Sequence, residues 1–146
     1  EKTMIKLDDA YDENNIFAKI LRGEMPSITL YEDEKTLAFM DIMPQAIGHC
    51  LVIPKEPAVT FLDLSEDSAS AVMATAKKVA AAVVKAMEAP SFMMAQLNGS
   101  AAGQTVPHYH MHILPRHDGL ELEFHARAPE DLAVLNETAE KIRTQI

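Results

Sequence analysis

The chain has 146 residues, of which 13 are Lys or Arg and 22 are Asp or Glu, so its formal charge is −9. This length fits one domain, and the acidic balance disfavours long-range attraction to nucleic acid or to an anionic membrane surface. The single cysteine, Cys50, excludes an intrachain disulfide and suits a reducing compartment. Because three lysines interrupt the longest apolar-looking stretch, residues 69–89, we expect a cytoplasmic protein without a membrane span.

Helix and strand patterns follow one another in the first third of the chain. The asparagines at positions 14 and 15 can cap a short helix that ends at Gly23, shortly before Pro26. Three strands, rich in apolar and β-branched residues, are predicted to follow it, over residues 28–31, 36–42 and 48–54.

The rest of the chain predicts two more helices and two more strands. Ser65 and the two acidic residues after it predict the start of a long helix. Its inward stripe consists of Val72, Ala76, Val79, Val83 and Met87. A strand over residues 92–97 and a histidine-bearing strand follow, and Pro129-Glu130-Asp131 opens a last helix whose apolar face is formed by Leu132, Leu135, Ala139 and Ile142. The pattern predicts an α+β domain over residues 14–146, with a five-stranded antiparallel meander sheet, two main helices and a C-terminal helix; residues 1–13 form an N-terminal extension.

Three histidines, His108, His110 and His112, occupy alternate positions of one predicted strand. The two-residue period of a strand places all three rings on one face, roughly 7 Å apart. Imidazoles act near neutral pH as nucleophiles, as acids and bases or as metal ligands, although a chance cluster on a solvated face is an alternative. A metal site is a second alternative, but outer rings roughly 13 Å apart are too distant to reach one ion. We therefore predict no metal.

A run of small residues with two glycines, residues 98–106, directly precedes these histidines. Such a loop can bring backbone N–H groups close to an anion, although most glycine-bearing loops are only turns. Next to three imidazoles, the loop predicts a place where a phosphate is held beside a nucleophile.

Residues 108–114, His-Tyr-His-Met-His-Ile-Leu, resemble the signature of the histidine-triad (HIT) superfamily, in which histidines alternate with apolar residues. Residues 15–26 resemble the family's opening helix and residues 37–55 its central strand pair, so the resemblance covers about residues 14 to 116. The chain is more similar to the Hint-like branch of purine nucleoside phosphoramidases than to the Fhit-like dinucleotide hydrolases. Because it contains no Trp and its triad is followed by Arg-His-Asp-Gly, it most resembles bacterial HIT proteins. The implied structure is the HIT fold.

The resemblance implies a hydrolase or transferase that cleaves a nucleoside 5′-monophosphate from a phosphoramide or phosphate-linked leaving group. His110 is implied as the nucleophile that forms a nucleotidyl-histidine intermediate. His108 would help to orient it, and His112 would serve a phosphate oxygen or the leaving group, as an imidazolium that donates a proton. Gln104 and Thr105 are implied to hydrogen-bond the phosphate or the leaving group.

The resemblance also implies a nucleoside site, in which Asp41 accepts hydrogen bonds from the ribose hydroxyls. The apolar base pocket would be formed by Ile16, Phe17, Ile20, Phe39 and Ile42. His49 matches a fourth histidine near the triad, and Asn98 and Gly103 belong to the loop beside it. Without the family, the alternatives are a turn residue for Asp41, a structural histidine for His49 and ordinary core for the apolar residues.

The implied ligand is a purine nucleotide such as AMP or GMP, bound without a cofactor and without nucleic acid or membrane as a partner. A homodimer is expected, because the long helix carries apolar residues beyond one stripe and strand 92–97 is apolar on both sides. The helix residues concerned are Val72, Met73, Val79, Ala80, Val83 and Val84. Alternatively, the C-terminal helix covers this surface within one chain. Two other functions remain open: a non-catalytic nucleotide-binding module and a dinucleoside polyphosphate hydrolase.

Overall fold

The fold was obtained as a computed structural model, which describes residues 4–119 and 128–146. The described strands are β1 (Thr29–Glu32), β2 (Thr36–Met40), β3 (Cys50–Pro54), β4 (Ser91–Ala95) and β5 (Met111–Arg116). The helices are α1 (Ile16–Leu21), α2 (Glu66–Met87) and α3 (Leu132–Arg143), with one 3₁₀ turn at Ser100–Ala102. All the paired strands are antiparallel, so the predicted α+β class and five-stranded antiparallel sheet are confirmed. No helix in the described ranges is long and apolar enough to cross a membrane.

The sheet order is β1-β2-β3-β5-β4. The first three strands follow one another as a meander, but β5 lies between β3 and β4, so the meander prediction is wrong for the last two strands. The connection from β3 to β4 contains α2, and a connection of that length can carry the chain past the position that β5 later fills. As a result, the strand that carries His112 is internal and β4 is an edge strand.

Each helix begins with a side-chain cap. The side-chain oxygens of Asn15, Ser65 and Asp131 accept hydrogen bonds from backbone N–H groups in the first turns of α1, α2 and α3. These bonds satisfy donors that a helix start leaves without an intrahelical partner. The predicted helix starts are therefore confirmed at Asn15 and Ser65, and the predicted opening of α3 is confirmed with Asp131 as its cap.

Two apolar clusters cover the two faces of the sheet. On one face, α2 and α3 pack through residues that include Val79, Val83 and Ile142. On the other face, Phe17 of α1 packs with Leu37, Phe39, Leu51 and Ile53. Phe39 lies opposite Leu51, and Leu51 lies opposite His112, so these three side chains share the α1 face of the sheet. The register thus brings the last histidine of the triad to the face that α1 covers.

The structure corrects the predicted apolar face of α3 and the predicted dimer interface on α2. Leu132 is 64% exposed and so does not belong to the predicted apolar face of α3, whereas Met87 is half-buried and packs against the core cluster as predicted for α2. On α2, Val72, Val79, Ala80 and Val83 are buried within the chain, in one cluster with Leu135 and Ile142 of α3. The C-terminal helix therefore covers this part of α2, and a dimer interface at Val79 and Val83 is wrong. Met73 remains exposed.

Candidate active site

The three histidines of the triad do not share one regular strand. Only His112 belongs to β5, while His108 and His110 lie just before it, where the N–H of Tyr109 donates to the carbonyl of Ala58. The prediction of one strand carrying all three rings is therefore wrong for the first two. The rings of His110 and His112 have centroids 5.0 Å apart, and Phe17 packs edge-on against His110 at 5.0 Å. These two histidines thus form a close pair beside α1.

His108 is fully buried and bonded through both ring nitrogens. Its Nε2 lies 2.8 Å from the carbonyl oxygen of Pro54, which can only accept, so Nε2 carries the proton. Nδ1 must then be an acceptor, and the hydroxyl of Tyr11 donates to it at 2.6 Å. Burial lowers the pKa of His108 to about 4, which keeps the ring neutral. His108 therefore offers no ring nitrogen to a ligand.

His110 has the tautomer that a nucleophile needs. Its Nδ1 lies 2.6 Å from the carbonyl oxygen of His108, so Nδ1 donates its proton to that oxygen. The lone pair is then on Nε2. Burial also lowers the pKa of His110, which disfavours the imidazolium form. A neutral ring with a fixed lone pair can attack an electrophile without first losing a proton.

In His112 it is Nε2 that carries the proton, and the hydrogen bond from His49 determines this. The N–H of Gln45 donates to Nδ1 of His49 at 3.1 Å, so the proton of His49 is on Nε2, which donates to Nδ1 of His112 at 2.9 Å. His112 then carries its own proton on Nε2. Burial lowers the pKa of His49 to about 4 and that of His112 to about 3. The site therefore combines an acceptor at His110 with an N–H donor at His112, and without a ligand His112 is not the imidazolium that the sequence predicts.

Asp41 lies beside these two rings. Its Oδ1 accepts from the N–H of Met43 at 2.8 Å, and its Oδ2 lies 3.4 Å from Nε2 of His49. Burial raises the pKa of Asp41 to about 6, although the bond from Met43 opposes that shift. The carboxylate is therefore mostly ionised at neutral pH and can accept further hydrogen bonds.

Asp41, His49 and His112 bring possible metal-ligand atoms within 4.8 Å of one another. A histidine that ligates a metal normally donates its other ring N–H to an acceptor. Here the other nitrogen of His49 faces the N–H of Gln45, so the nitrogen that would meet the metal holds a proton. This hydrogen bonding argues against a metal ion at the cluster.

Most backbone N–H groups of the glycine loop, residues 98–106, already donate hydrogen bonds within the protein. The N–H groups of residues 99, 100, 102, 103 and 104 all donate to acceptors in the protein. These five N–H groups, including that of Gly103, are thus already paired within the protein. Gly99 and Gly103 have φ of +88° and +103°, which explains why glycine occupies both positions.

Two polar side chains brace this loop rather than point away from it. Gln104 is buried, accepts from the N–H of Gly99 and donates to the carbonyls of Val59 and Val106. Asn98 accepts from the N–H of Phe61 at 2.7 Å and also bonds to the side chain of Gln96. Contact of Gln104 with a phosphate would break bonds that hold the loop.

Thr105 differs from its neighbours in this loop. Its side chain is exposed and makes no hydrogen bond within the described ranges. Its hydroxyl is thus a loop group that a ligand can use without breaking an existing bond.

The structure divides the five apolar residues of the predicted base pocket. Phe17 and Phe39 are buried and Ile20 is half-buried in the cluster under α1, as ordinary core residues would be. Ile16 and Ile42 are 38% and 48% exposed. Ile16 and Ile42 thus keep the most surface of the five for contact with a base, while Phe17 packs edge-on against His110.

Three groups that set the proton positions were missed by the sequence analysis: the Tyr11 hydroxyl, the Pro54 carbonyl and the Gln45 N–H. Tyr11 and His108 are 97 positions apart, and the other two groups belong to the backbone, whose partners depend on the fold. No sequence pattern indicates any of them.

Comparison with known proteins identifies the family. Residues 22–119 match the model of the HIT domain. The chain belongs to this family. It is 38% identical to the protein hit of Bacillus subtilis over 136 residues, covering 88% of this chain and 94% of that protein. It is 37% identical over 127 residues to a protein of Schizosaccharomyces pombe named adenosine 5′-monophosphoramidase, covering 84% of this chain and 92% of that one.

A solved structure also agrees over nearly the whole chain. It is a crystal structure of a Hit-like protein of Bartonella henselae described as involved in cell-cycle regulation. It has a TM-score of 0.89 and 45% identity, with 94% of this chain and 100% of that chain covered. The HIT fold implied by the sequence is therefore confirmed.

The neutral histidines predict that acid destabilises the fold. The pKa values of His49, His108 and His112 are about 4, 4 and 3, against the ordinary 6.5, so between pH 6.5 and 4 only the unfolded chain binds protons there. Each such group removes about 1.4 kcal/mol of unfolding free energy per pH unit below 6.5. Asp41 opposes them, because its pKa is raised from 3.8 to about 6 and the folded form gains a proton first. Urea denaturation between about pH 7 and pH 5 should show a net loss.

The matched variants are His49→Gln and His117→Gln, since His117 is exposed and outside the cluster. We expect a shallower pH dependence for His49→Gln and an unchanged one for His117→Gln. Stability that stays constant or rises as the pH falls through this window would contradict neutral buried rings.

Proposed function

We propose that the chain is a cytoplasmic nucleotide hydrolase or transferase, which cleaves a nucleoside 5′-monophosphate from a phosphoramide or phosphate-linked leaving group. The observation that carries the proposal is the bond from Nδ1 of His110 to the carbonyl of His108, because it leaves the lone pair on Nε2 next to the N–H of His112. A histidine that only binds a metal, or one that only fills the core, would not need an acceptor nitrogen placed next to the N–H donor of a second ring. The phosphoramidase named among the relatives supports the same reaction class.

The reaction proceeds in two displacements. Nε2 of His110 forms a bond to phosphorus, and the bond from phosphorus to the leaving group breaks, with its electron pair remaining on the leaving atom. In the imidazolium form of His112, which the bound phosphate anion favours, Nδ1 also carries a proton and no longer accepts from His49, and the leaving atom takes the proton from Nε2. Water then attacks the phosphorus of nucleotidyl-His110 and gives its proton to Nε2 of His112. The bond from phosphorus to Nε2 of His110 breaks, its electron pair returns to the ring, and the nucleoside monophosphate is released.

The nucleoside is held by a few groups next to the pair. Asp41 accepts hydrogen bonds from the two ribose hydroxyls, and the exposed surfaces of Ile16 and Ile42 contact a purine base, as in AMP or GMP. The phosphate receives hydrogen bonds from Nε2–H of His112 and from the hydroxyl of Thr105, since most loop N–H groups already have partners. No cofactor or metal takes part.

The first test is the nucleophile. We expect His110→Ala to lower AMP release from adenosine 5′-phosphoramidate by about 10³-fold or more, with AMP affinity nearly unchanged, because only the attacking atom is lost. Thr105→Ala should cost about tenfold, as one hydrogen bond to the phosphate is lost. Rates are measured by chromatography of released AMP, with and without EDTA, which should have no effect.

Near-normal hydrolysis by His110→Ala would contradict the mechanism. Parallel incubation with diadenosine polyphosphates separates the alternatives. Faster AMP release from those compounds would indicate a dinucleoside polyphosphate hydrolase, and AMP binding without turnover of either substrate would indicate a non-catalytic binding module.

The second test is ribose recognition. Asp41→Ala should weaken AMP binding about 10- to 100-fold, because a half-buried acceptor for two hydroxyls is removed. The same change should affect 2′-deoxy-AMP less, so the preference for the ribonucleotide narrows. Calorimetric titration of both nucleotides measures this. Unchanged affinity and unchanged discrimination would reject Asp41 as the ribose acceptor.

The proposal includes a homodimer whose interface is formed by β4, because the middle of α2 is buried within the chain. β4 is an edge strand, and its Phe92 and Met94 are 45% and 37% exposed. An apolar edge strand left in water favours pairing with a second copy.

Light scattering at about micromolar protein concentration should give a molar mass twice the 16.1 kDa of one chain. Met94→Glu should lower the mass without unfolding the protein, whereas Leu132→Glu, at an exposed apolar residue of α3, should not change it. A monomeric mass for the unaltered chain would refute the dimer.

A further inference from the structure

The N-terminal segment, described over residues 4–13, is bonded to the candidate active site although the family match begins only at residue 22. The N–H of Ile5 donates to the hydroxyl oxygen of Ser100 at 2.6 Å, and the N–H of Ser100 donates back to the carbonyl of Ile5 at 2.9 Å. Ile5 is buried. The start of the segment is thus fastened to the glycine loop by a reciprocal pair of bonds.

The segment makes a second contact at Tyr11. Its hydroxyl donates to Nδ1 of His108 at 2.6 Å, and its ring meets that of His108 edge-on, with centroids 5.5 Å apart. Since Nε2 of His108 is occupied by the carbonyl of Pro54, Tyr11 and Pro54 together fix both ring nitrogens. Burial raises the pKa of Tyr11, so its hydroxyl keeps the proton that it donates.

The consequence reaches the nucleophile through the backbone of His108. The carbonyl of this residue accepts the Nδ1 proton of His110. We infer that Tyr11 is a positioning residue: its hydroxyl holds the His108 ring, and thereby the carbonyl that keeps the lone pair of His110 on Nε2. This inference rests on the proposed function, and it extends the active site to a segment that the HIT-domain match does not include.

The experiment is Tyr11→Phe in the full chain, which removes the hydroxyl and keeps the ring. With adenosine 5′-phosphoramidate we expect kcat to fall about five- to tenfold, the loss typical of one hydrogen bond, and KM to change by less than about twofold. Nitrogen-15 spectra of the histidine side chains should show the His108 Nδ1 resonance move toward that of an unbonded acceptor. The Nδ1 proton of His110 should exchange faster with water.

The matched control is Tyr31→Phe. The hydroxyl of Tyr31 donates to Asp33 on the surface at 2.9 Å, so its loss should change neither kcat nor the His108 and His110 spectra. Equal kcat values for the two variants, or an unchanged His108 spectrum in Tyr11→Phe, would overturn the inference. Equal thermal unfolding temperatures for the two variants would show that any difference in kcat is not a folding defect.

The spectra also separate this inference from the proposed function. If the unaltered chain releases no AMP, the proposed function fails, and the nitrogen spectra alone then decide on Tyr11. A change at both His108 and His110 supports positioning, and a change confined to His108 contradicts it.

Discussion

One hydrogen bond, from Nδ1 of His110 to the carbonyl oxygen of His108, determines what this site can do. A carbonyl can only accept, so the bond decides which nitrogen of His110 keeps the lone pair. The other rings have their protons fixed in the same way, His108 by Pro54 and His49 by the N–H of Gln45. Each imidazole therefore has one defined tautomer, and the pair formed by His110 and His112 has a defined polarity.

Burial keeps the four rings in their neutral forms. Desolvation disfavours the imidazolium form of each of the four rings. The hydrogen-bond partners of the rings are a tyrosine, backbone groups and one another, and the pKa of His49 stays lowered although the Asp41 carboxylate lies 3.4 Å from it. Neutral rings remain costly to bury unless their nitrogens are bonded. Within the described ranges, no buried side-chain nitrogen or oxygen lacks a partner. Burial thus keeps His110 neutral and nucleophilic, and it also requires a hydrogen-bond partner for each buried ring nitrogen.

The sequence predicted what depends on local patterns. Side-chain oxygens at Asn15 and Ser65 marked two helix starts, and the period of Val72, Val79 and Val83 marked the buried face of α2. It could not predict contacts that depend on the order of the strands. β5 enters between β3 and β4, and this insertion puts His112 beside Leu51 and close to His49, a proximity that only the family resemblance implied. The family resemblance implied that Gln104 bonds the phosphate or the leaving group, whereas its amide bonds to Gly99, Val59 and Val106 and so holds the loop.

Electrostatics connects these local bonds to ligand binding. The chain has a formal charge of −9, and none of the hydrogen-bond partners of the four histidines is a Lys or an Arg. A phosphate must therefore be attracted by oriented N–H and O–H dipoles at close range rather than by net charge at a distance. An anion in contact with His112 favours the imidazolium form of that ring, against the burial that otherwise keeps it neutral. Nucleotide binding is thus coupled to proton uptake, and the proton taken up is the one that the leaving group requires.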